Sequence, residues 1–342
     1  MSNSESLKKL YQTVNPQAKK IYVVPLIRFT HKKTDYLYLL YKQLIEGDDY
    51  KIRSISIFDH FKLIAAILAN RNSILHYHWF EFQDFKSLLG MPWKLFCIYF
   101  FQKLGGTIVW TIHNEFPHDR KYLNLHLYLH RKMAKWAEAL HVHCNKAVDI
   151  MANRLMCEKD KFHVIPHPRY PLEPLESYEA RELLRSNYNL ELSDDEPVLL
   201  MFGNISRYKR MDLVATLIIE YDLNCKLLIV GPVKKGNESL YKKLCVYEES
   251  DDRIKVIPQF IEEERVRWFY SASDIAVFNY REILSSGSYY MALSFNKTVI
   301  APGIGCLSEE ADKKQVHLFN DQNELKELIQ MHTSETGTDG ES

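Results

Sequence analysis

A repeated pairing of short, β-branched apolar runs with longer helical stretches constrains this fold more than any other feature. Ile21 to Ile27 (IYVVPLI), Thr107 to Ile112 (TIVWTI), Pro197 to Phe202 (PVLLMF) and Lys226 to Val230 (KLLIV) have no 3.6-residue period. Such runs read as strands buried on both faces. Segments of helical character lie between them, among them Tyr36 to Ile45, Phe85 to Leu104, Lys121 to Ala139, Ser239 to Tyr247 and Glu262 to Ser271. Strand–helix alternation calls for parallel sheets with helical crossovers, a doubly wound α/β architecture, and it sends the loops at the strands' carboxyl ends to the ligand side.

At 342 residues the chain is long for one core. The alternation is interrupted once, at PHPRYPLEP (166–174), where four prolines in nine residues fix φ and remove backbone donors. The expected division is therefore residues 1–168, residues 169–332, and a disordered tail over 333–342, whose TSETGTDGES is poor in apolar residues. Lys plus Arg and Asp plus Glu are balanced at 44 each, so no global field draws nucleic acid and any anion site must be local. The six cysteines form no CxxC pair and read as reduced thiols, and no zinc spacing is present. The polar N-terminus has no secretory apolar core, and the longest apolar run, Leu95 to Phe101, is far short of a membrane span. A cytoplasmic protein is expected. The aromatic segment 85–103, with Lys86, Lys94 and Lys103, reads either as a buried packing helix or as a peripheral contact with the inner face of the plasma membrane.

Four loops carry the polar chemistry. After the first strand come Arg28 and His31, and SILHYH (73–78) ends on His78 and runs on to Glu81, at a strand's carboxyl end. TIVWTI delivers His113, Asn114, Glu115, His118 and Asp119 into one loop, suited to acid–base or substrate-hydroxyl contacts. The spacing there lacks the fixed geometry of a zinc helix, so no metal is expected. PVLLMF runs into Gly203, Asn204, Arg207, Lys209 and Arg210, where a glycine followed by basic groups suits a diphosphate. Finally, YREILSSGSYYMALSFNKTVIAP (280–302) brings Ser285, Ser286, Gly287 and Ser288 to a helix entry. That turn is either an ordinary serine cap or an anion cradle.

FGNISRYKRMD followed by YREILSSGSYYMALSFNKTVIAPGIGC, with TIHNEFPHD and VIPHPRY in the first half, resembles the family 4 type of nucleotide-sugar glycosyltransferases. The resemblance implies the GT-B fold, two Rossmann-like doubly wound domains facing across a cleft. It implies an acceptor-side first domain, a donor-binding second domain, and sugar transfer from a UDP- or GDP-linked donor without an obligatory cofactor. By position, Arg207, Lys209, Ser286, Gly287 and Ser288 match the diphosphate site. Gly203, Asn204, Glu282 and Glu309 fall on the nucleotide or sugar side. His113, Glu115, His118 and Asp119 are the catalytic candidates, and Arg28, His31, His78 and Glu81 lie toward a saccharide or lipid-linked saccharide acceptor. Met291 stands where that family commonly has a glutamate, which leaves the stereochemical outcome open. A nucleotide-sugar epimerase and a non-catalytic sugar-nucleotide-binding subunit remain alternatives.

Overall fold

The computed structural model describes residues 3–82, 88–117 and 121–334. The chain forms two compact units, Met1–Pro168 and Arg169–Ser342. In the first unit the order is α1 (Asn3–Val14), β1 (Lys20–Val24), α2 (Tyr36–Glu46), β2 (Lys51–Ser54), α3 (Phe61–Ala69) and β3 (Ser73–His78). There follow α4 (Met91–Lys103), β4 (Thr107–Thr111), α5 (Leu123–Trp136), β5 (Ala139–Val142), α6 (Asn145–Leu155) and β6 (Phe162–Val164). All strand pairs are parallel, in the order β2-β1-β3-β4-β5-β6. The winding reverses between β1 and β3, and the crevice beyond those two strand ends is where such a sheet holds ligands.

Helix α1 was not foreseen, because its composition is polar. Leu7, Leu10 and Tyr11 nevertheless sit at helical spacing and are at most 3% exposed, packed with Leu37, Leu40 and Tyr41 of α2. A single apolar stripe is enough to dock a polar helix.

The second unit runs α7 (Ser177–Tyr188), β7 (Val198–Phe202), α8 (Met211–Glu220), β8 (Lys226–Val230), α9 (Glu238–Ser250) and β9 (Ile254–Ile257). It continues with α10 (Glu263–Ala272), β10 (Ile275–Val277), α11 (Gly287–Ser294), β11 (Thr298–Pro302), β12 (Val316–Phe319) and α12 (Gln322–Ser334). Its parallel strands lie in the order β12-β11-β10-β7-β8-β9, so the reversal falls between β7 and β10. Leu199, Leu200, Leu227, Leu228 and Ile229 are fully buried. Each such side chain contributes roughly 1.5–3 kcal/mol, which makes the central strands a rigid base for their loops.

Beyond Thr298–Pro302, Val316–Phe319 adds an edge strand with two half-buried positions, which the sequence patterning did not foreshadow. Two expectations are corrected here. The terminal helix passes through Thr333 and ends at Ser334, while 335–342 lie outside the described residues. Cys97, Cys157, Cys225 and Cys245 are free thiols as expected, whereas Cys144 and Cys306 are not.

Candidate functional site

In the second unit, the loops that follow β7 and β10 converge at the switch point. Gly203 leaves β7 with φ 106°, a left-handed conformation that L side chains rarely adopt. A Cβ built there would lie 2.6 Å from Lys209 Nζ and 3.0 Å from Ser288 Oγ, so the glycine, the ammonium and the hydroxyl face one small volume. Gly231, after β8, packs against the Gly203 carbonyl so closely that a Cβ would come within 2.6 Å of it. The chain then forms a short 3-10 turn, Arg207–Lys209, which ends at Arg210 in a left-handed conformation. That turn directs Lys209 inward, 5% exposed, with Nζ donating to the Phe202 carbonyl at 3.3 Å. Burial pulls its pKa from 10.5 down to about 7.

The opposing wall is the start of α11. Ser286 caps this helix, its hydroxyl accepting from the Tyr289 N–H and meeting the Tyr280 hydroxyl at 2.8 Å. The cap leaves the first-turn N–H groups of Gly287 and Ser288 without an intrahelical acceptor, at the positive end of the helix. The two loops are tied together. Arg281 N donates to the Tyr208 carbonyl at 2.8 Å, Asn279 Nδ2 donates to the Arg210 carbonyl at 3.3 Å, and the Tyr208 and Tyr280 rings stack at 5.9 Å.

In the first unit, β4 delivers His113 to its carboxyl end. Trp79, just past β3, stacks on the His113 ring at 4.0 Å and 11° while adopting φ 47°. Tyr36 meets His113 edge-on at 4.9 Å. A bulky residue held at positive φ is strained, and such strain persists where surrounding structure over-determines it. Glu115 lies 3.8 Å from the Arg154 guanidinium, which also sits 3.9 Å over the Phe116 ring. His118 and Asp119 lie outside the described residues.

The other anticipated positions divide. Ser288, Gly203 and Lys209 come together, beside the cap formed by Ser286 and Gly287. Arg207 is exposed and donates to Ser239 Oγ at 2.9 Å, and Asn204 is exposed at the loop tip. Glu282 is half-buried before the cap, and Glu309 is exposed in the 3-10 turn Gly305–Glu310. Its neighbour Glu310, which the sequence reading passed over, lies closer to α11 and raises the pKa of the Tyr289 and Tyr290 hydroxyls beyond what burial alone does. Arg28 is exposed and helps hold the Asp35 carboxylate that caps α2, while Thr30 Oγ1 contacts His31 Nδ1 at 2.9 Å. Glu81 accepts from Asn114 Nδ2 at 3.2 Å. His78 is fully buried, so its ring lies beneath the loop and not on its surface. His76, His141, His143 and His167 are buried beside it and were not anticipated. Their signal was in view, since histidine recurs at alternate positions in LHYH (75–78) and LHVH (140–143).

These paired six-stranded parallel sheets are the GT-B fold, shared with a glycosyltransferase from Rickettsia africae at TM-score 0.63 and 16% identity, covering 94% of this chain and 90% of that one. Anabaena HepE in complex with UDP and glucose superimposes at TM-score 0.64 and 11% identity, covering 94% and 92%. By sequence, the chain is 25% identical over 255 residues to a GDP-mannose:glycolipid 4-beta-D-mannosyltransferase from Xanthomonas campestris pv. campestris, across 71% of this chain and 64% of that protein. The chain thus spans under two thirds of that relative's length. No family model matches the chain. Among the described residues, no helix is long and apolar enough to cross a membrane.

Proposed function

We propose that the chain is a glycosyltransferase that moves mannose from a GDP-linked donor to a hydroxyl of a glycolipid acceptor. The observation that carries this reading is the meeting of Lys209 Nζ, Ser288 Oγ and the Gly203 backbone beside the start of α11, at the switch point of the second sheet. Small residues, a buried ammonium and a helix N-terminus together suit a diphosphate. The mannosyltransferase relative supports the sugar and the nucleotide. A UDP-linked donor is the second reading, favoured by HepE bound to UDP and glucose.

In this mechanism the bond between the sugar's anomeric carbon and the diphosphate breaks, and its electron pair passes to the diphosphate oxygen. Lys209, the Ser288 hydroxyl and the first-turn N–H groups of α11 offset the developing charge. The charge is met by protein groups, so the reaction needs no divalent cation. The acceptor hydroxyl loses its proton to a base that follows β4, where His113 and Glu115 stand; the sequence candidates His118 and Asp119 lie outside the described residues. The relative's name specifies a β linkage, and this reading has the present chain form the same one.

A lipid-linked acceptor fits the first unit's surface. Trp93, Phe96 and Tyr99 on α4 are 51%, 49% and 42% exposed, and α3 adds Phe61 and Leu68 at 53% and 67%. Trp93 and Phe96 stack at 5.6 Å, and Lys103 lies 5.5 Å over the Tyr99 ring. An aromatic stripe flanked by lysines suits the headgroup region of a bilayer. Residues 85–87 of the anticipated 85–103 contact lie outside the described residues. On this reading the chain works at the inner face of the plasma membrane.

Thermal-shift measurements with GDP, UDP, GDP-mannose and UDP-glucose test the donor site. A nucleotide at about a hundred times its Kd stabilises by roughly 2.7 kcal/mol. GDP and GDP-mannose are expected to raise Tm. No shift with either nucleotide or its sugar at millimolar concentration contradicts the reading.

A further inference from the structure

Beneath the loop that carries His113 lies a chain of buried rings and hydroxyls to which the proposed chemistry gives no part. His76 and His78 project from β3, two residues apart, and Thr111 of β4 stands opposite both His78 and His141 in the sheet register. All four are fully buried. Desolvation holds these histidines neutral, His76 down to about 3, and the neighbouring imidazoles push His78 and His141 in the same direction. A neutral imidazole has one N–H and one lone pair, and a hydroxyl has one hydrogen. The direction of each hydrogen bond can therefore be followed from a group whose role is fixed.

That group is the Ile165 carbonyl, which only accepts. It stands 3.0 Å from His141 Nε2, so that nitrogen carries the hydrogen and Nδ1 is a lone pair. The Thr111 hydroxyl, 2.8 Å from His141 Nδ1, must direct its one hydrogen there. Its oxygen then accepts from His76 Nε2 at 2.7 Å, which leaves His76 Nδ1 a lone pair. The Tyr11 and Tyr41 oxygens both lie 2.6 Å from that nitrogen. An oxygen lone pair facing it at such a distance is repelled, so both hydroxyls, 3.4 Å apart, turn their hydrogens toward it and share its one lone pair in a three-centre hydrogen bond. The Tyr41 oxygen, having donated, accepts from His78 Nε2 at 2.9 Å. His78 Nδ1 is therefore a lone pair, and it accepts from His113 Nε2 at 3.1 Å.

We infer that this chain of hydrogen bonds fixes His113 as its Nε2–H tautomer, holding Nδ1 as a proton acceptor, and that His78 is the positioning residue that sets it. The inference rests on the reading of His113 as the group facing the acceptor hydroxyl. In this tautomer Nδ1 takes the hydroxyl proton as the acceptor oxygen bonds to the anomeric carbon. The bond from that carbon to the diphosphate breaks, and its electron pair leaves on the diphosphate. The resulting imidazolium keeps its Nε2–H bond to His78. Trp79, stacked on the ring, restricts the rotation that would exchange the two nitrogens.

Nitrogen–proton correlation spectra of the histidine side chains in the full chain test this, with His113→Gln to identify the His113 signal. The expected result is a proton on Nε2 in the wild type and a mixture of tautomers in His78→Phe. A wild-type His113 with its proton on Nδ1 overturns the inference. Kinetics give a second readout, because the amide of His78→Gln can accept from His113 and donate to Tyr41. His78→Phe should lower kcat by about 10²-fold with the donor KM unchanged, while His78→Gln stays within about tenfold of wild type, in line with the contribution of a positioned base. Equal loss in both variants refutes the positioning role. The predicted tautomer in a chain that transfers no sugar supports the hydrogen-bond chain and refutes only the enzymatic reading.

Discussion

Acidification to about pH 5.5 should unfold the first unit while leaving the second largely intact. Burial holds His76 and His167 down to about 3, and His60 and His143 down to about 4. In the unfolded chain each returns to about 6.5. The native values are the depressed ones, so their stability is fully present above about pH 6.5. It is lost as pH falls toward the native values, because only the unfolded state binds protons in that window. One unit below 6.5, the unfolded state gains about 1.4 kcal/mol for each such histidine, or about 6 kcal/mol for these four. That is comparable with the whole stability of a domain, roughly 5–15 kcal/mol. His78 and His141 act in the same direction. The second unit contains only His317 and His332. Urea unfolding followed by tryptophan fluorescence reports chiefly on the first unit, which holds Trp79, Trp93, Trp110 and Trp136, against Trp268 in the second. The midpoint should fall steeply between about pH 7.5 and pH 5.5, with hydrogen-exchange protection lost first from β3, β4 and β5. An unchanged midpoint over that range would refute the reasoning.

Further outcomes follow from the donor loop and the exposed helix. Lys209→Met should lower kcat/KM for transfer by about 10²-fold or more without unfolding the chain, as loss of one charge-stabilising donor does elsewhere, measured by steady-state kinetics and circular dichroism. Burial sets Lys209 near 7, and a bound diphosphate favours its charged form, so nucleotide binding at about pH 8 should take up close to one proton. Calorimetry in buffers of different ionisation enthalpy would show no such dependence if Lys209 lay outside the site. Gly203→Ala strains a backbone at φ 106° and pushes into Lys209 Nζ, so it should cost about 1–3 kcal/mol in thermal unfolding and abolish the GDP-induced shift. Paired Trp93→Ser and Phe96→Ser substitutions should release the chain from anionic liposomes in sedimentation while sparing transfer to a short-chain, water-soluble acceptor analogue.

The sequence revealed more of the fold than of the site. Strands such as Thr107–Thr111 and Lys226–Val230 are apolar on both faces, so their identity and the side on which their loops emerge could be read locally. Helix α1 and the edge strand Val316–Phe319 escaped because each buries only part of its surface, and a polar or half-exposed segment carries little periodic signal. The loop after β7 showed that basic groups were present but not which one turns inward. That depends on the 3-10 turn at Arg207–Lys209, which sends Lys209 into the core and leaves Arg207 on Ser239. The histidine chain was the least legible part. His76 is satisfied by Tyr11, 65 residues away, and by Tyr41, 35 residues away, and no local pattern reports such partners.

The central claim is that the Lys209–Ser288 cradle binds the diphosphate of a sugar nucleotide whose sugar is then transferred. Its most direct test is incubation of the full chain with GDP-mannose and a polyprenyl-diphosphate-linked saccharide, with the lipid product followed by mass spectrometry. The account predicts a lipid heavier by one hexose, made by the wild type and nearly absent with Lys209→Met. A hexose-extended lipid formed equally by both proteins, or GDP-mannose converted with no acceptor present, would contradict it.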